Sequence, residues 1–250
     1  MKNNANYYKL NLQYYFKTTK FRALLVIMII ISLYCSTALT KTTTGTLKYI
    51  PSIVVVFNNE VFIIFLLLTS LISNMVAFDL FNNHNYIIRF IDKKKYVNEM
   101  IKTTIIFSLV TYLIQIILVL IFLGISCDSG LGIYTMEIYN INIVFYALFI
   151  LVKNMILIQC VSIINNLMMN IINRIVLIGI SILYYVSILF RTTNVIDKSI
   201  RWRLIDYLSS QPYTSFITEV IHSFLYICIL IIFIKMLMLL VSRYIKKVGE

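Results

Sequence analysis

Apolar residues in this chain come in long unbroken runs separated by short polar links. Six runs stand out: Phe21 to Thr40, Val61 to Phe81, Thr103 to Ser126, Ile141 to Asn166, Ile171 to Phe190 and Val220 to Val241. The second has an apolar approach beginning as early as Ile53. About 20 residues at 1.5 Å rise each cover the ~30 Å of hydrocarbon in a bilayer. A backbone facing lipid must satisfy its own hydrogen bonds, which leaves helices or a closed barrel. Barrel strands alternate over ~10 residues, and these runs do not alternate. The pattern predicts an all-α polytopic membrane protein with six transmembrane helices.

The polar links predict three further elements. Within residues 1–20, Tyr8, Leu12, Tyr15 and Phe16 fall on one helical face and Lys9, Gln13, Lys17 and Lys20 on another, as in a helix lying on a membrane surface. In the link 82–102, Tyr86 to Met100 can form a short helix with Tyr86, Ile87, Phe90 and Ile91 on one side. In the link 191–219, Trp202 to Phe216 is too short and polar to span. Its aromatics suit interfacial depth and Pro212 breaks it, giving a surface or re-entrant hairpin.

Charge orients the spans. Lys2, Lys9, Lys17 and Lys20 precede the first run and Arg22 opens it, Arg89, Lys93, Lys94, Lys95 and Lys102 lie between the second and third, and Arg174 joins the fourth to the fifth. Arg243, Lys246 and Lys247 close the chain. Six crossings place all of these on one side, the cytoplasmic one, with both termini. The link from Cys127 to Asn140 has no Lys or Arg, as an outer loop should. Arg191, Lys198, Arg201 and Arg203 break the rule, partly offset by Asp197 and Asp206.

Composition agrees. The chain is 60% hydrophobic and 13% charged, with 6 Gly and 2 Pro; a soluble domain is nearer 45–50% and about 25%. One membrane domain over 1–250 is expected. The net charge of +12 clusters at the ends of apolar runs, which points to anionic lipid rather than nucleic acid. Cys35, Cys127, Cys160 and Cys228 show no paired spacing and read as small core residues. The first run lacks a clean small-x-small cleavage site and is expected to stay in the membrane.

Catalytic signatures are missing. The sequence has no HExxH, GxSxG or P-loop, and its two histidines, His84 and His222, fall on opposite sides in this topology. No catalytic, cofactor or metal residue is expected. Polar residues inside the runs are the remaining candidates, because a charge at the bilayer centre costs a few kcal/mol. Lys153 sits halfway along the fourth run beside Asn154. It reads either as lining a pathway or subunit seam, or as paired within the bundle. Asn74 and Gln159 join it as candidates, although such amides more often tie helices together. Lys235 is close enough to a run end to snorkel.

The link after the second run carries a resemblance. It reads Phe78-Asp79-Leu80-Phe81-Asn82-Asn83 and continues through Arg89, Lys93-Lys94-Lys95 and Lys102. This resembles the corresponding link of ABC-2-type permeases, the membrane subunits of ATP-driven exporters. In that family an acid ends the second helix, a bend follows, an Arg precedes a basic patch and a Lys opens the third helix. Asp79, Arg89 and Lys102 match those positions, while Asn82-Asn83 replace the usual bend glycine. The amphipathic helix in 1–20 is similar to the family's elbow helix. Tyr207-Leu208-Ser209-Ser210-Gln211-Pro212-Tyr213 is similar to its outer hairpin. The small Gram-positive permeases that export, or give immunity to, lantibiotics, bacitracin-like agents or phenol-soluble modulins look most similar. The resemblance implies a bacterial cell-membrane protein that binds no cofactor itself. It also implies a cytoplasmic ATPase partner holding ATP and Mg, a second permease copy or paralogue, and an amphipathic peptide as cargo. Tyr86, Ile87, Arg89, Phe90 and Asp92 would contact the ATPase. A stand-alone membrane immunity protein or an intramembrane peptide-processing enzyme is the alternative.

Overall fold

The structure, a computed structural model, describes residues 2–42, 45–81, 93–136, 139–192 and 215–248. Eight helices carry the fold among them: α1 (Lys2–Lys17), α2 (Thr19–Ala38), α3 (Tyr49–Asn58), α4 (Glu60–Phe81), α5 (Lys93–Ser126), α6 (Ile143–Met169), α7 (Arg174–Thr192) and α8 (Phe216–Val248). Five of them, α2, α4, α5, α6 and α8, are long and apolar enough to cross a membrane.

In a chain this poor in Gly and Pro, Asn and Thr start the helices. Asn59 Oδ1 accepts from Val61 N, Asn142 Oδ1 from Val144 N and Asn173 Oδ1 from Ile175 N, each at 2.9 Å. Thr18 Oγ1 accepts from Phe21 N at 3.2 Å. Each side chain satisfies one of the amides a helix start leaves without a partner. The Asn59 cap separates the second run from its apolar approach: extended backbone there (ψ 128°) ends α3 and starts α4.

The long helices run alternately between two ends of a bundle. The charged end holds Lys20 of α2, Asp79 of α4 and Arg174 of α7. The hairpin end holds two short antiparallel pairs, β1 (Lys41–Thr42) with β2 (Gly45–Thr46), and β3 (Thr135–Met136) with β4 (Ile141–Asn142). These hairpins were not legible as strands, since each has only two residues per strand. The first turn of α3 is also bonded to the loop that follows α5: Tyr49 N donates to Gly130 O at 3.3 Å and Ile50 N to Leu131 O at 3.0 Å. Gly132 lies in this junction at φ +65°, where a Cβ would meet Lys48 Cβ at 2.6 Å, so only glycine fits.

The core follows the same division. Near the charged end, Tyr15, Phe21, Phe81 and Phe107 pack with aliphatics of α4, α6 and α8. Near the hairpin end, Phe57, Phe62, Tyr112 and Tyr146 pack with aliphatics of α2, α4 and α5. A small third cluster, centred on Leu71, Met169 and Leu177, seats α7 on α4 and α6.

Three sequence expectations change. The short helix expected over Tyr86 to Met100 does not stand apart where it is described. Residues from Lys93 belong to α5, a continuous helix of 34 residues with Tyr96, Val97 and Met100 buried; no Pro or Gly interrupts it before Gly124. The sixth run starts earlier than Val220, because α8 begins at Phe216 and takes in Glu219. The face of α1 also rotates. Tyr15 and Asn11 are buried, whereas Phe16 is 43% exposed. The residues expected to contact an ATPase, Tyr86, Ile87, Arg89, Phe90 and Asp92, and residues 193–214 of the expected outer hairpin lie outside the described residues.

Candidate functional site

The residue that composition makes most conspicuous, Lys153, lies at the centre of a buried ionic site. It sits on α6 with Tyr146 two turns before it and Phe149 one turn before it, all on one face. Glu219 faces it from the first turn of α8. That turn is fixed by Ser215 and Thr218, each of whose amide nitrogens donates to the other's hydroxyl, at 3.1 and 3.3 Å. A carboxylate this close to a helix N-terminus also meets the positive end of the helix dipole.

Lys153 Nζ donates to Glu219 Oε1 at 2.9 Å, with the two side chains only 2% and 1% exposed. Tyr146 OH donates to Glu219 Oε2 at 3.1 Å, so both carboxylate oxygens are held. Lys153 Nζ also lies 5.5 Å from the centre of the Phe149 ring, on its face, a cation–π contact. Phe216 closes the site: its ring centre lies 5.1 Å from that of Phe149 and 6.3 Å from those of Tyr139 and Tyr146. The result is a dry, fully paired charge couple under an aromatic cap. In such surroundings the two charges hold each other strongly, and each is costly without the other.

Asn154 points another way. Its Nδ2 donates to Phe57 O at 2.8 Å, tying α6 to α3, and its Oδ1 has no partner among the described residues. It lines a small cavity, about 10 Å³, between α4, α6 and α8. Ile63, Leu66, Leu67, Leu157 and Val161 supply most of the wall with Tyr226, and the surface they present is apolar.

The other candidates are tied elsewhere. Gln159 meets Ser108 of α5 at 2.7 Å. Asn74 is fully buried in α4, with neither amide atom partnered among the described residues. Lys153, Asn154 and Gln159 therefore bond α8, α3 and α5 respectively. The structure pairs Lys153 within the bundle, with Glu219. Glu219, its partner, was missed in the sequence because it stands just before the apolar run and was counted with the outer link. The usable signal was that a mid-span lysine requires an acid near one span end.

The charged end has its own ionic centre. Asp79 accepts from Lys20 through Oδ2 and from Arg174 through Oδ1, joining α2, α4 and α7. Here the side chains are 41%, 29% and 32% exposed. Beside it, Tyr15 of α1 enters the bundle. Its hydroxyl meets Ser73 of α4 at 3.0 Å and Thr111 of α5 at 2.6 Å, and its ring stacks on Phe107 at 4.3 Å. Burial pushes the Tyr15 phenol above its ordinary pKa against the opposing effect of the two hydrogen bonds, so it stays a neutral hydroxyl. Lys102, matched above to the family's third-helix position, pairs with Glu99 one turn earlier on an exposed face.

Among the described residues no three His, Cys, Asp or Glu side chains gather as metal ligands. Comparison with protein-family models, curated proteins and solved structures gives no match.

Proposed function

We propose that this chain is the transmembrane subunit of an ATP-driven exporter of the ABC-2 type, which moves membrane-active or amphipathic peptides out of a bacterial cell membrane and draws its energy from a separate ATPase. The observation that carries the reading is a parity argument. Arg174 at the start of α7 is bonded to Asp79 at the charged end, and Phe216 at the start of α8 packs on Tyr139 at the hairpin end. The chain between them has to travel the length of the bundle, and α7 supplies the apolar length. This supports a sixth crossing in α7 beside the five long apolar helices, the count that would bring both termini and the basic link to one side. The positive-inside rule makes this the cytoplasmic side.

Two more features support the family reading. A helix precedes the first span and is anchored to the bundle by Tyr15, as an elbow helix would be. Asp79 in the last turn of α4 is the acid expected there, and its two cations tie that end of α4 to α2 and α7. With no P-loop in the sequence, energy has to come through the link 82–92 from a partner. Ligand binding to that partner can only shift this bundle through contacts that differ between two arrangements.

The test is purification of the tagged chain from its own cells in mild detergent. Co-purification of a span-free P-loop ATPase is expected. ATPase activity of that complex should fall about tenfold or more in Arg89→Ala/Phe90→Ala, as at a binding hot spot. Recovery of the chain with no ATPase, with peptide sensitivity still raised on deletion of the gene, would favour the immunity alternative; no ATPase together with unaltered sensitivity would overturn the peptide-export reading.

A further inference from the structure

Helix α8 is attached to the bundle unevenly. Only 22% of its most apolar stretch is buried, against 67% for α4. It packs chiefly on α6 and α5, along one line of buried positions from Glu219 through Ser223 to Val241 that divides into a polar zone and an apolar zone. At the charged end, Leu230, Ile234, Leu237 and Val241 are buried at spacings of three and four, a continuous seam. At the hairpin end, the attachment is the Glu219 carboxylate with Lys153 and Tyr146, capped by Phe216. Between the zones lies the small cavity lined by Asn154 and Tyr226. Tyr226 stands two turns beyond Glu219 on α8, and Cys160 stands two turns beyond Lys153 on the same face of α6.

We infer that the Lys153–Glu219 pair is a latch: it holds the hairpin end of α8 against α6 and keeps the cavity behind it closed. The physical argument is that the two zones differ in kind. The apolar seam can slide or pivot with gradual loss of contact. A dry ion pair has two states, closed and hydrated, because separating the charges without water is prohibitive. Water reaching Glu219 past Phe216 therefore releases α8 as a unit, turning about the charged-end seam, and joins the cavity to the hairpin-end surface. The latch is a property of this chain alone and holds whether or not an ATPase drives it, so it stands apart from the transport reading.

The native cysteines provide the test. The full-length chain is reconstituted in lipid nanodiscs without any partner and pulsed with N-ethylmaleimide, and mass spectrometry follows Cys160, behind the latch, and Cys35 of α2, away from it. Both thiols are buried, at 6% and 0% exposure. In Glu219→Gln, which keeps shape and removes charge, Cys160 should label about tenfold or more faster while Cys35 stays at its original rate, the signature of local opening. Tyr146→Phe, which withdraws one hydrogen bond and leaves the charges, should give a smaller acceleration confined to Cys160, and it serves if Glu219→Gln does not fold. An unchanged Cys160 rate in a folded variant overturns the latch. So does equal acceleration at Cys35, which is general loosening.

Discussion

The bundle has an ionic centre at each end, and they are built on opposite principles. At the charged end, one carboxylate accepts from two cations, and all three side chains are roughly a third exposed. At the hairpin end, one carboxylate accepts from one cation and one phenol, and the charges are 1–2% exposed. The first leaves an excess positive charge and stays in contact with solvent or lipid headgroups. The second is balanced and sealed by rings. Solvent-exposed pairs contribute ~0–1 kcal/mol each and weaken with salt. A buried pair adds little over a well-packed apolar pair, yet losing one member leaves an uncompensated charge in a dry site. Exposure, rather than the number of ionic contacts, therefore decides which end is sensitive to mutation.

The largest effect should come from breaking the buried pair. Glu219→Ala is expected to destabilise the chain by about 3–5 kcal/mol in SDS-titration unfolding, because it strands Lys153. The combined change Lys153→Met/Glu219→Leu should cost much less, since it removes both charges and keeps the volume, leaving only the Tyr146 hydroxyl without its Glu219 acceptor. If the single and double variants lose stability equally, the pair is not what distinguishes this end.

A smaller effect should appear where α1 enters the bundle. Tyr15→Phe keeps the ring on Phe107 and removes only the hydroxyl. Ser73 and Thr111 remain 3.2 Å apart and can bond each other, so the loss should be about 1 kcal/mol in the same unfolding assay. A loss several times larger would show that the two hydroxyls cannot compensate.

The smallest effect is expected at Asp79. Asp79→Asn should cost no more than about 1 kcal/mol at low salt and less at high salt, because both partners are exposed. A salt-independent loss as large as that of Glu219→Ala would erase the contrast between the ends.

Much of the architecture could be read before any coordinates. Run lengths of about 20 apolar residues fix membrane-length helices, because lipid leaves the backbone no other partner, and the runs at Phe21, Val61, Thr103, Ile141 and Val220 all became such helices. Their boundaries were less legible. Asn59 looks like an ordinary polar residue inside an apolar approach, and only the extended backbone there separates α3 from α4. Lys93 to Lys102 looked like a surface link because of its charge, yet it continues α5, since lysine is a good helix former and nothing stops the helix. For the site, Lys153 and Asn154 were visible as expensive polar residues, whereas what they bond was not.

Composition and charge pattern alone determine that this is a multi-pass helical chain, with basic residues gathered at run ends and its costly polar groups at Asn74, Lys153, Asn154 and Gln159. Those are properties of each segment against its solvent, so they need no knowledge of neighbours. Tertiary structure decided the pairings: Glu219 with Lys153 across 66 positions, Asp79 with both Lys20 and Arg174, and Tyr15 with Ser73 and Thr111. Such pairings depend on which helix faces meet and at what depth. Because lipid-facing and buried positions are both apolar here, no hydrophobic periodicity marks those faces in advance.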